Sequence, residues 1–216
     1  MVITYNGLEF FKVQSGNLTL VFNPVSKSSK SALPAPRFRT DIALVSLNHP
    51  DFNGTLSLSA APGKETFIID TAGEYEVDEV FIKGFGLSSS YGGKNSVNTI
   101  YKVIMEGITM SFLGPLKDGD LPDDVFGEVE GSEILFVPIG GLETLDSSRA
   151  YKLAVKLSPN VIIPMHYGES SGNGTLLKFL KEEGVKGLRP EEKLSIKKNA
   201  LLTKDGEIIV LKSPDA

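Results

Sequence analysis

Two apolar, β-branched segments that each stop at a histidine constrain this chain more than any other feature. The first is Asp41–Asp51 (Asp-Ile-Ala-Leu-Val-Ser-Leu-Asn-His-Pro-Asp), and the second is Asn160–Gly168 (Asn-Val-Ile-Ile-Pro-Met-His-Tyr-Gly). Runs of this kind are typical of fully buried strands. His49 and His166 are the only histidines of the chain. Because binding sites of layered α/β proteins gather where strands end, we predict that both histidines belong to one site.

The length and charge of the chain limit its organisation and its partners. A chain of 216 residues can bury a substantial core, and no long linker or low-complexity tract divides it. We therefore predict a single domain over residues 1–216. The formal charge of −5 argues against nucleic-acid binding, which needs a basic surface. The absence of cysteine removes disulfides, thiolate metal ligands and a cysteine nucleophile.

No segment reads as a membrane span or a targeting signal. No apolar run approaches the length needed to cross a bilayer. The first residues, Met1–Gly7, resemble a strand and turn and lack the basic start and apolar core of a signal peptide. We expect a cytoplasmic protein without a membrane partner. The sequence leaves open whether its partner is a small-molecule ligand or a protein, and whether it forms a homo-oligomer.

Strand-like segments fill the first half of the chain, and helical patterns appear only after the middle. This order predicts two packed sheets with helices outside, an α/β (α+β) architecture. Asn23–Arg39 and Gly86–Ser96 are predicted to be exposed loops, and the acidic region Gly114–Glu130 contains at most one short helix. Asp146 is a plausible N-cap for the first long helix. The predicted strands are Val2–Tyr5, Glu9–Val13, Leu18–Phe22, Ile42–Leu47, Phe67–Asp70, Val80–Phe85, Thr99–Met105, Ile108–Leu113, Ile134–Ile139, Asn160–Met165, Leu194–Ile196 and Glu207–Leu211, and the predicted helices are Ser147–Leu157 and Leu176–Glu183.

Five short segments carry a family resemblance: Ile3–Val13, Leu20–Pro24, Gly73–Val77, Phe136–Gly141 with Thr144–Asp146, and Ile163–Tyr167. They resemble segments of the metallo-β-lactamase-fold hydrolases, in particular the branch of L-ascorbate-6-phosphate lactonase-like proteins. Their order along the chain is also similar to the order in that branch. The resemblance covers nearly the whole chain and implies a four-layer αββα sandwich. The segments are Ile3–Val13, similar to the first hairpin; Leu20–Pro24, similar to an Ile-Leu-Ile-Asp-Pro strand end; Gly73–Val77, similar to a glycine-turn hairpin; Phe136–Gly141 with Thr144–Asp146, similar to a late strand and helix start; and Ile163–Tyr167, similar to the final strand with its metal-binding histidine.

The metal-binding motif that the resemblance implies is degenerate here. The family has His-x-His-x-Asp-His at the end of the strand that begins near Asp41, and this chain reads Leu47-Asn-His49-Pro-Asp51-Phe52. His49 and Asp51 match the motif, whereas Leu47 and Phe52 replace two histidines. The last histidine of the family is matched by His166.

Two further ligands implied by the resemblance are missing. The chain has no histidine in the segment Phe85–Ser90, where the family has one. Pro115 stands where the family's bridging aspartate would follow Leu113 and Gly114. A catalytic zinc ion usually needs three protein ligands and an open position for water. Apolar side chains in place of ligands also make burial of a cation costly.

Structural roles for the three matching residues remain open. His49 could order a loop beside Pro50, and His166 could be a strand-end histidine bonded to backbone. Asp51 could be a turn or helix-capping residue.

The count of ligands leads to two functional hypotheses. The main one is a divergent metallo-β-lactamase-fold protein that has lost most zinc ligands and acts as a non-catalytic or catalytically altered binding or regulatory module, a pseudoenzyme without a cofactor. The alternative is a metal-dependent hydrolase of phosphoesters or lactones. Its reduced mononuclear site would use His49, Asp51 and His166 to hold a single, weakly bound zinc ion and to activate water.

Overall fold

The strands of the computed structural model form two packed sheets. The structure describes residues 1–31, 33–34, 36, 38–168, 174–182, 184 and 187–214. Within these residues, the strands are β1 (Val2–Tyr5), β2 (Phe11–Ser15), β3 (Leu18–Phe22), β4 (Ile42–Leu44), β5 (Phe67–Ile69), β6 (Gly73–Val77), β7 (Val80–Ser89), β8 (Ser96–Met105), β9 (Ile108–Phe112), β10 (Ile134–Pro138), β11 (Val161–Met165), β12 (Leu194–Ser195) and β13 (Glu207–Ile208).

The first sheet has the order β12-β1-β2-β3-β4-β5, and the second has the order β13-β11-β10-β9-β8-β7-β6. Both sheets are mixed. The pairs β3–β4 and β4–β5 are parallel in the first sheet, and β9–β10, β10–β11 and β11–β13 are parallel in the second. The helices are α1 (Asp123–Val129), α2 (Ser147–Leu157), α3 (Thr175–Glu182) and α4 (Lys198–Leu201). Two mixed sheets flanked by helices confirm the predicted sandwich architecture.

Aromatic side chains from both sheets fill the space between them. Phe22 of the first sheet stacks on Phe112 of the second at a centroid distance of 4.4 Å, and Phe11 meets Phe136 at 4.8 Å. All four side chains are fully buried. Burying a side chain of this size contributes about 1.5–3 kcal/mol relative to leaving it in water, so these four rings are a major part of the core.

The parallel strands place several chain segments at one edge of the sandwich. Asn23 follows β3, Ser46 follows β4, Gly114 follows β9 and His166 follows β11. The Asn23 side chain and Ser46 are hydrogen-bonded to each other. A Cβ on Gly114 would approach the Ser46 side chain within 2.9 Å. Segments that are distant in the sequence therefore converge at this edge.

Helix α2 has the predicted boundaries, and the physical basis of its start is confirmed. The Asp146 side chain accepts a hydrogen bond from the backbone N–H of Arg149, as an N-cap should. Its apolar residues Ala150, Leu153, Ala154 and Leu157 are buried in the core. Helix α3 begins at Thr175, and the predicted end at Glu183 lies outside the described residues. None of the helices in the described part of the chain has the length and apolar character needed to cross a lipid bilayer.

Two predictions of local structure were wrong. Residues 86–89 belong to β7 rather than to a loop, because Gly86 pairs with Thr99 and Ser88 with Val97 in a long antiparallel hairpin. The segment that begins at Asn23 is not exposed throughout, because residues 23–25 are buried.

Candidate functional site

One side of the site is a local pair formed by His49 and Asp51. His49 Nδ1 lies 3.4 Å from Asp51 Oδ2, and the backbone N–H of Asp51 donates to the same nitrogen at 3.3 Å. The His49 side chain is 30% exposed and that of Asp51 is 18% exposed. His49 therefore orders its own loop, as one of the structural alternatives anticipated. The pair also remains accessible to solvent.

The Asp51 carboxylate is held by two hydroxyl groups. The Ser29 hydroxyl donates to Oδ1 at 2.5 Å, and the Tyr91 hydroxyl donates to Oδ2 at 3.0 Å. Burial raises the pKa of Tyr91 far above its ordinary value of 10, and the negative charge of Asp51 adds to this shift. The Tyr91 phenol thus stays protonated and acts as a hydrogen-bond donor. Asp51 serves as an acceptor within the site rather than as a helix cap.

A buried apolar cluster occupies the middle of the site. Leu47, Phe52 and Tyr91 pack together, and Phe52 is fully buried. The Phe52 ring lies 6.0 Å from the ring of His49 and 6.2 Å from that of His166, centroid to centroid. The Tyr91 ring lies 5.0 Å and 6.0 Å from the same two rings. The two histidine rings therefore have the same two aromatic neighbours.

The loop that carries Tyr91 closes over His49. The backbone N–H of Gly92 donates to the Glu143 carboxylate at 2.9 Å, which fixes the loop to the segment before α2. Gly92 has a φ of 71°, and a Cβ at this position would lie 3.0 Å from His49 Nε2. A residue with a side chain would be strained here in backbone and in packing. Glycine thus allows the loop to approach the imidazole closely.

The other side of the site is a buried pair between His166 and Glu9. Glu9 Oε1 lies 2.9 Å from His166 Nδ1, and the Glu9 side chain is completely buried. Burial raises the pKa of Glu9, while the hydrogen bonds from His166 and Asn23 lower it again in part. The side chain of His166 is only 9% exposed. A buried carboxylate needs this kind of partner, since an unpaired charge in the interior is costly.

Asn23 and Ser46 complete the surroundings of Glu9. Asn23 Nδ2 donates to Glu9 Oε2 at 3.0 Å and to Ser46 Oγ at 2.7 Å. The backbone N–H of Ser46 donates to Asn23 Oδ1 at 2.8 Å. All three residues are buried. Both carboxylate oxygens of Glu9 therefore have protein partners.

The sequence prediction placed both histidines and Asp51 in one site, and the structure places all three around Phe52 and Tyr91. It missed Glu9, Asn23, Ser29, Ser46 and Tyr91. Glu9 carried a usable signal, because it interrupts the apolar run Leu8-Glu9-Phe10-Phe11 with a charge. The other four had none, since serine, asparagine and tyrosine in loops usually serve turns.

A cavity of about 440 Å³ opens at the same edge of the sandwich. Its lining includes Ser90, which precedes Tyr91, and Pro115, which follows Gly114. The wall also carries two cationic side chains, Lys117 and Arg149, and two acidic ones, Asp118 and Asp120. The cavity is large enough for a small organic molecule.

The side chains present do not fit the two-zinc centre implied by the resemblance. Leu47 is 2% exposed and Phe52 is fully buried, so apolar groups fill two ligand positions. Across the described residues, no group of three or more His, Asp or Glu side chains is placed to share a metal ion. His49 and Asp51 lie together, whereas the Nδ1 atom of His166 is engaged by Glu9. Zinc needs more donors than this arrangement brings together.

Comparison with known proteins settles the family. Residues 2–166 match the family model described as a beta-lactamase superfamily domain. The chain belongs to the metallo-β-lactamase superfamily. The match runs from β1 to His166 and thus includes both sides of the site.

Three similar proteins are named as hydrolases. A metal-dependent hydrolase from Aeropyrum pernix is 26% identical over 198 residues, covering 77% of this chain and 82% of the relative. A metal-dependent hydrolase from Thermoplasma acidophilum is 32% identical over 108 residues, covering 49% of this chain and 47% of that protein, so this alignment spans about half of each. A crystal structure from Thermotoga maritima, assigned as a Zn-dependent hydrolase of the metallo-β-lactamase superfamily, has a TM-score of 0.76 and 25% identity, and the match covers 98% of both chains.

These relatives correct the main functional hypothesis. The sequence favoured a non-catalytic or catalytically altered binding or regulatory module, and that prediction was wrong. The similar proteins are metal-dependent hydrolases, which supports the alternative hypothesis instead. The error came from equating lost zinc ligands with lost function. The structure shows that two histidine–carboxylate pairs remain at the site, so groups capable of acid–base chemistry persist.

Proposed function

We propose that this protein is a hydrolase of a phosphoester or a lactone and that it acts where His49, Asp51 and His166 surround the aromatic pair of Phe52 and Tyr91. The observation that carries this proposal is the presence of a histidine–carboxylate pair on each side of that aromatic pair. The hydrolase relatives support the same reaction class. The neighbouring cavity has room for a small substrate.

The finer assignment follows the resemblance of the sequence. The motifs are similar to those of the L-ascorbate-6-phosphate lactonase-like branch, although the metal-binding motif of that branch is degenerate in this chain. We extend the proposal to a cytoplasmic enzyme with a small-molecule substrate. The sequence motifs and the neighbouring cavity, which has room for a small molecule, are the support for this extension.

The side chains of the site can supply hydrolytic chemistry without a step that passes through a metal ion. A histidine can take the proton of a water molecule as that water attacks an ester, and a carboxylate can hold the imidazole in place. The Tyr91 hydroxyl can donate to the Asp51 carboxylate throughout, because its raised pKa keeps it protonated. A reduced metal site of His49, Asp51 and His166 would require Phe52 and Tyr91 to move apart.

Hydrolysis assays with matched variants test the proposal. The native chain should hydrolyse at least one of 4-nitrophenyl phosphate, bis(4-nitrophenyl) phosphate and γ-butyrolactone, and His166→Gln and Asp51→Asn should each lower the rate about 100-fold. Glu65→Gln, at an exposed position, is the control and should match the native rate. Rates for the native chain no higher than those for His166→Gln on every substrate would overturn the proposal.

Elemental mass spectrometry on protein without a histidine tag determines the metal requirement. About one zinc or manganese ion per chain would show that the aromatic pair moves to admit an ion and that the reduced site forms. A content near zero together with retained hydrolysis would assign the reaction to the histidine–carboxylate pairs. The same assays in the presence of a chelator distinguish these two results.

A further inference from the structure

One edge of the first sheet ends in an uncovered apolar strand. β5 is the last strand of that sheet, and within the described part of the chain it pairs with β4 alone. Phe67 is 48% exposed and Ile68 is 47% exposed, although both belong to this strand. An exposed apolar edge strand is a template for pairing with a strand of another chain. The edge at β5 is therefore a candidate interaction surface.

The backbone of β5 offers hydrogen-bonding groups at this edge. The Phe67 N–H donates to the Asp41 carbonyl, and the Ile69 carbonyl accepts from the Val45 N–H, both at 2.8 Å. Because the direction of backbone bonding alternates along a strand, Phe67 and Ile69 bond toward β4, whereas the N–H and C=O of Ile68 point away from it. Ile68 thus presents one donor and one acceptor, the pair of groups that an added antiparallel strand uses.

The other sheet edges in the described residues are protected in ways that β5 is not. β12 and β13 have two residues each, which is too few for continuous pairing. β6 carries the exposed residues Glu74 and Glu76, and antiparallel pairing of two β6 strands about Tyr75 would put these carboxylates opposite each other. β5 itself carries no charged residue. Of these edges, the one at β5 is thus best suited to pairing.

Two copies of β5 complement each other in an antiparallel arrangement. With Ile68 opposite Ile68 of a second copy, each N–H of this residue donates to the carbonyl of the other. Phe67 then lies opposite Ile69 of the second copy, so apolar side chains cover each other. The same register places the exposed Lys64 diagonally across from the exposed Asp70 of the second copy, within reach of a long side chain. Twofold symmetry repeats this contact between opposite charges on the other side of the axis.

We propose that β5 is a dimer interface, in which the β5 strands of two copies of this chain pair antiparallel about Ile68 and join their first sheets into one continuous sheet. The twofold match of the apolar side chains and of the Lys64–Asp70 charges favours a second copy over the strand of another protein. The interface is independent of the proposed hydrolase function, because β5 contributes none of the residues of the candidate site.

Sedimentation equilibrium over a range of protein concentrations measures the dimer dissociation constant. Ile68→Lys sets two ammonium groups opposite each other and removes the apolar contact, so the Kd should rise about tenfold or more. Phe81→Lys is the matched control, since Phe81 is 50% exposed but lies on β7 of the second sheet, and its Kd should equal that of the native chain.

Reversal of the charges tests the register of the two strands. Asp70→Lys faces Lys64 of the second copy with a like charge and should weaken the dimer. The double variant Asp70→Lys with Lys64→Glu restores opposite charges across the axis and should recover most of the native affinity. A contact at another surface would show no such recovery.

A single introduced thiol tests the pairing without a loss of stability as an alternative explanation. The chain has no cysteine, so Ile68→Cys carries one thiol per copy. The paired Cα atoms would lie about 5.5 Å apart, a separation that a disulfide can span. Mild oxidation should convert this variant to a covalent dimer, whereas Phe81→Cys, with a similarly exposed thiol, should form little.

Two results would overturn the interface. The first is a native chain that stays monomeric at every concentration, together with equal oxidation of Ile68→Cys and Phe81→Cys. The second is a native dimer whose Kd is unchanged in Ile68→Lys, because the two copies would then meet at another surface. A dimer that Ile68→Lys weakens, Phe81→Lys leaves intact and the charge reversal restores would establish pairing at β5.

Discussion

The two histidine–carboxylate pairs of this site are built in opposite ways. His49 and Asp51 are two residues apart, partly exposed and joined by a contact of 3.4 Å. His166 and Glu9 are 157 residues apart, buried and joined at 2.9 Å. A local, exposed pair can rearrange with its loop at little cost, whereas a buried pair is fixed by everything packed around it. The difference indicates that the buried pair holds the geometry of the site and the exposed pair can adapt to a ligand.

The largest expected effect is on stability, and it contrasts the two carboxylates. Glu9→Ala removes one partner of a buried pair and should lower the free energy of unfolding by about 3–5 kcal/mol. Asp51→Ala removes the acceptor of the Ser29 and Tyr91 hydroxyl groups, which water can replace. The free energy of unfolding should therefore fall by only about 1 kcal/mol. Urea denaturation of both variants, with Glu65→Ala as the exposed control, measures the difference. Similar losses for Glu9→Ala and Asp51→Ala would show that the two pairs are equally structural.

Replacement of the shared aromatic neighbour should bring the two pairs into one metal site. Phe52→His places a nitrogen donor between the rings of His49 and His166, whose centroids lie 6.0 Å and 6.2 Å from the centroid of the Phe52 ring. Burial of the imidazole should lower stability by about 1–3 kcal/mol, and zinc should restore part of it. Calorimetric titration with zinc should show tighter binding than in the native chain. The matched variant Phe52→Leu adds no nitrogen donor. An equal gain in zinc affinity in both variants would contradict a ligand role for the new histidine.

The smallest expected effect on stability concerns the Tyr91 hydroxyl, which links the aromatic pair to the exposed His49–Asp51 pair. Tyr91→Phe removes one of two hydroxyl donors to Asp51 and should lower the free energy of unfolding by about 0.5–1.5 kcal/mol. The tautomer of the His166 ring should be unchanged, because the partner of Nδ1 is Glu9. Denaturation and ¹⁵N NMR measure both, with Tyr151→Phe on α2 as the control. A changed tautomer would show that the two pairs are coupled through Tyr91.

Much of the fold could be predicted because its elements have strong local patterns. β3 and α2 have the predicted boundaries, and the N-cap at Asp146 is confirmed. The prediction of secondary structure failed where the local composition is typical of a loop but a neighbouring strand pairs with the segment. The glycine- and serine-rich residues 86–89 form a strand because β8 offers a continuous partner. Short helix α4 was not predicted, since four residues carry too little pattern.

The sequence alone determined that two apolar runs lead to the histidines of the chain and that the metal motif of the family is incomplete. Both facts depend on residue identity and local order, which the chain carries directly. Only the tertiary structure decided that one oxygen of Glu9 meets His166 and that the other accepts a hydrogen bond from Asn23. Whether a charge is buried, and by which partner it is stabilised, depends on distant segments brought together by folding.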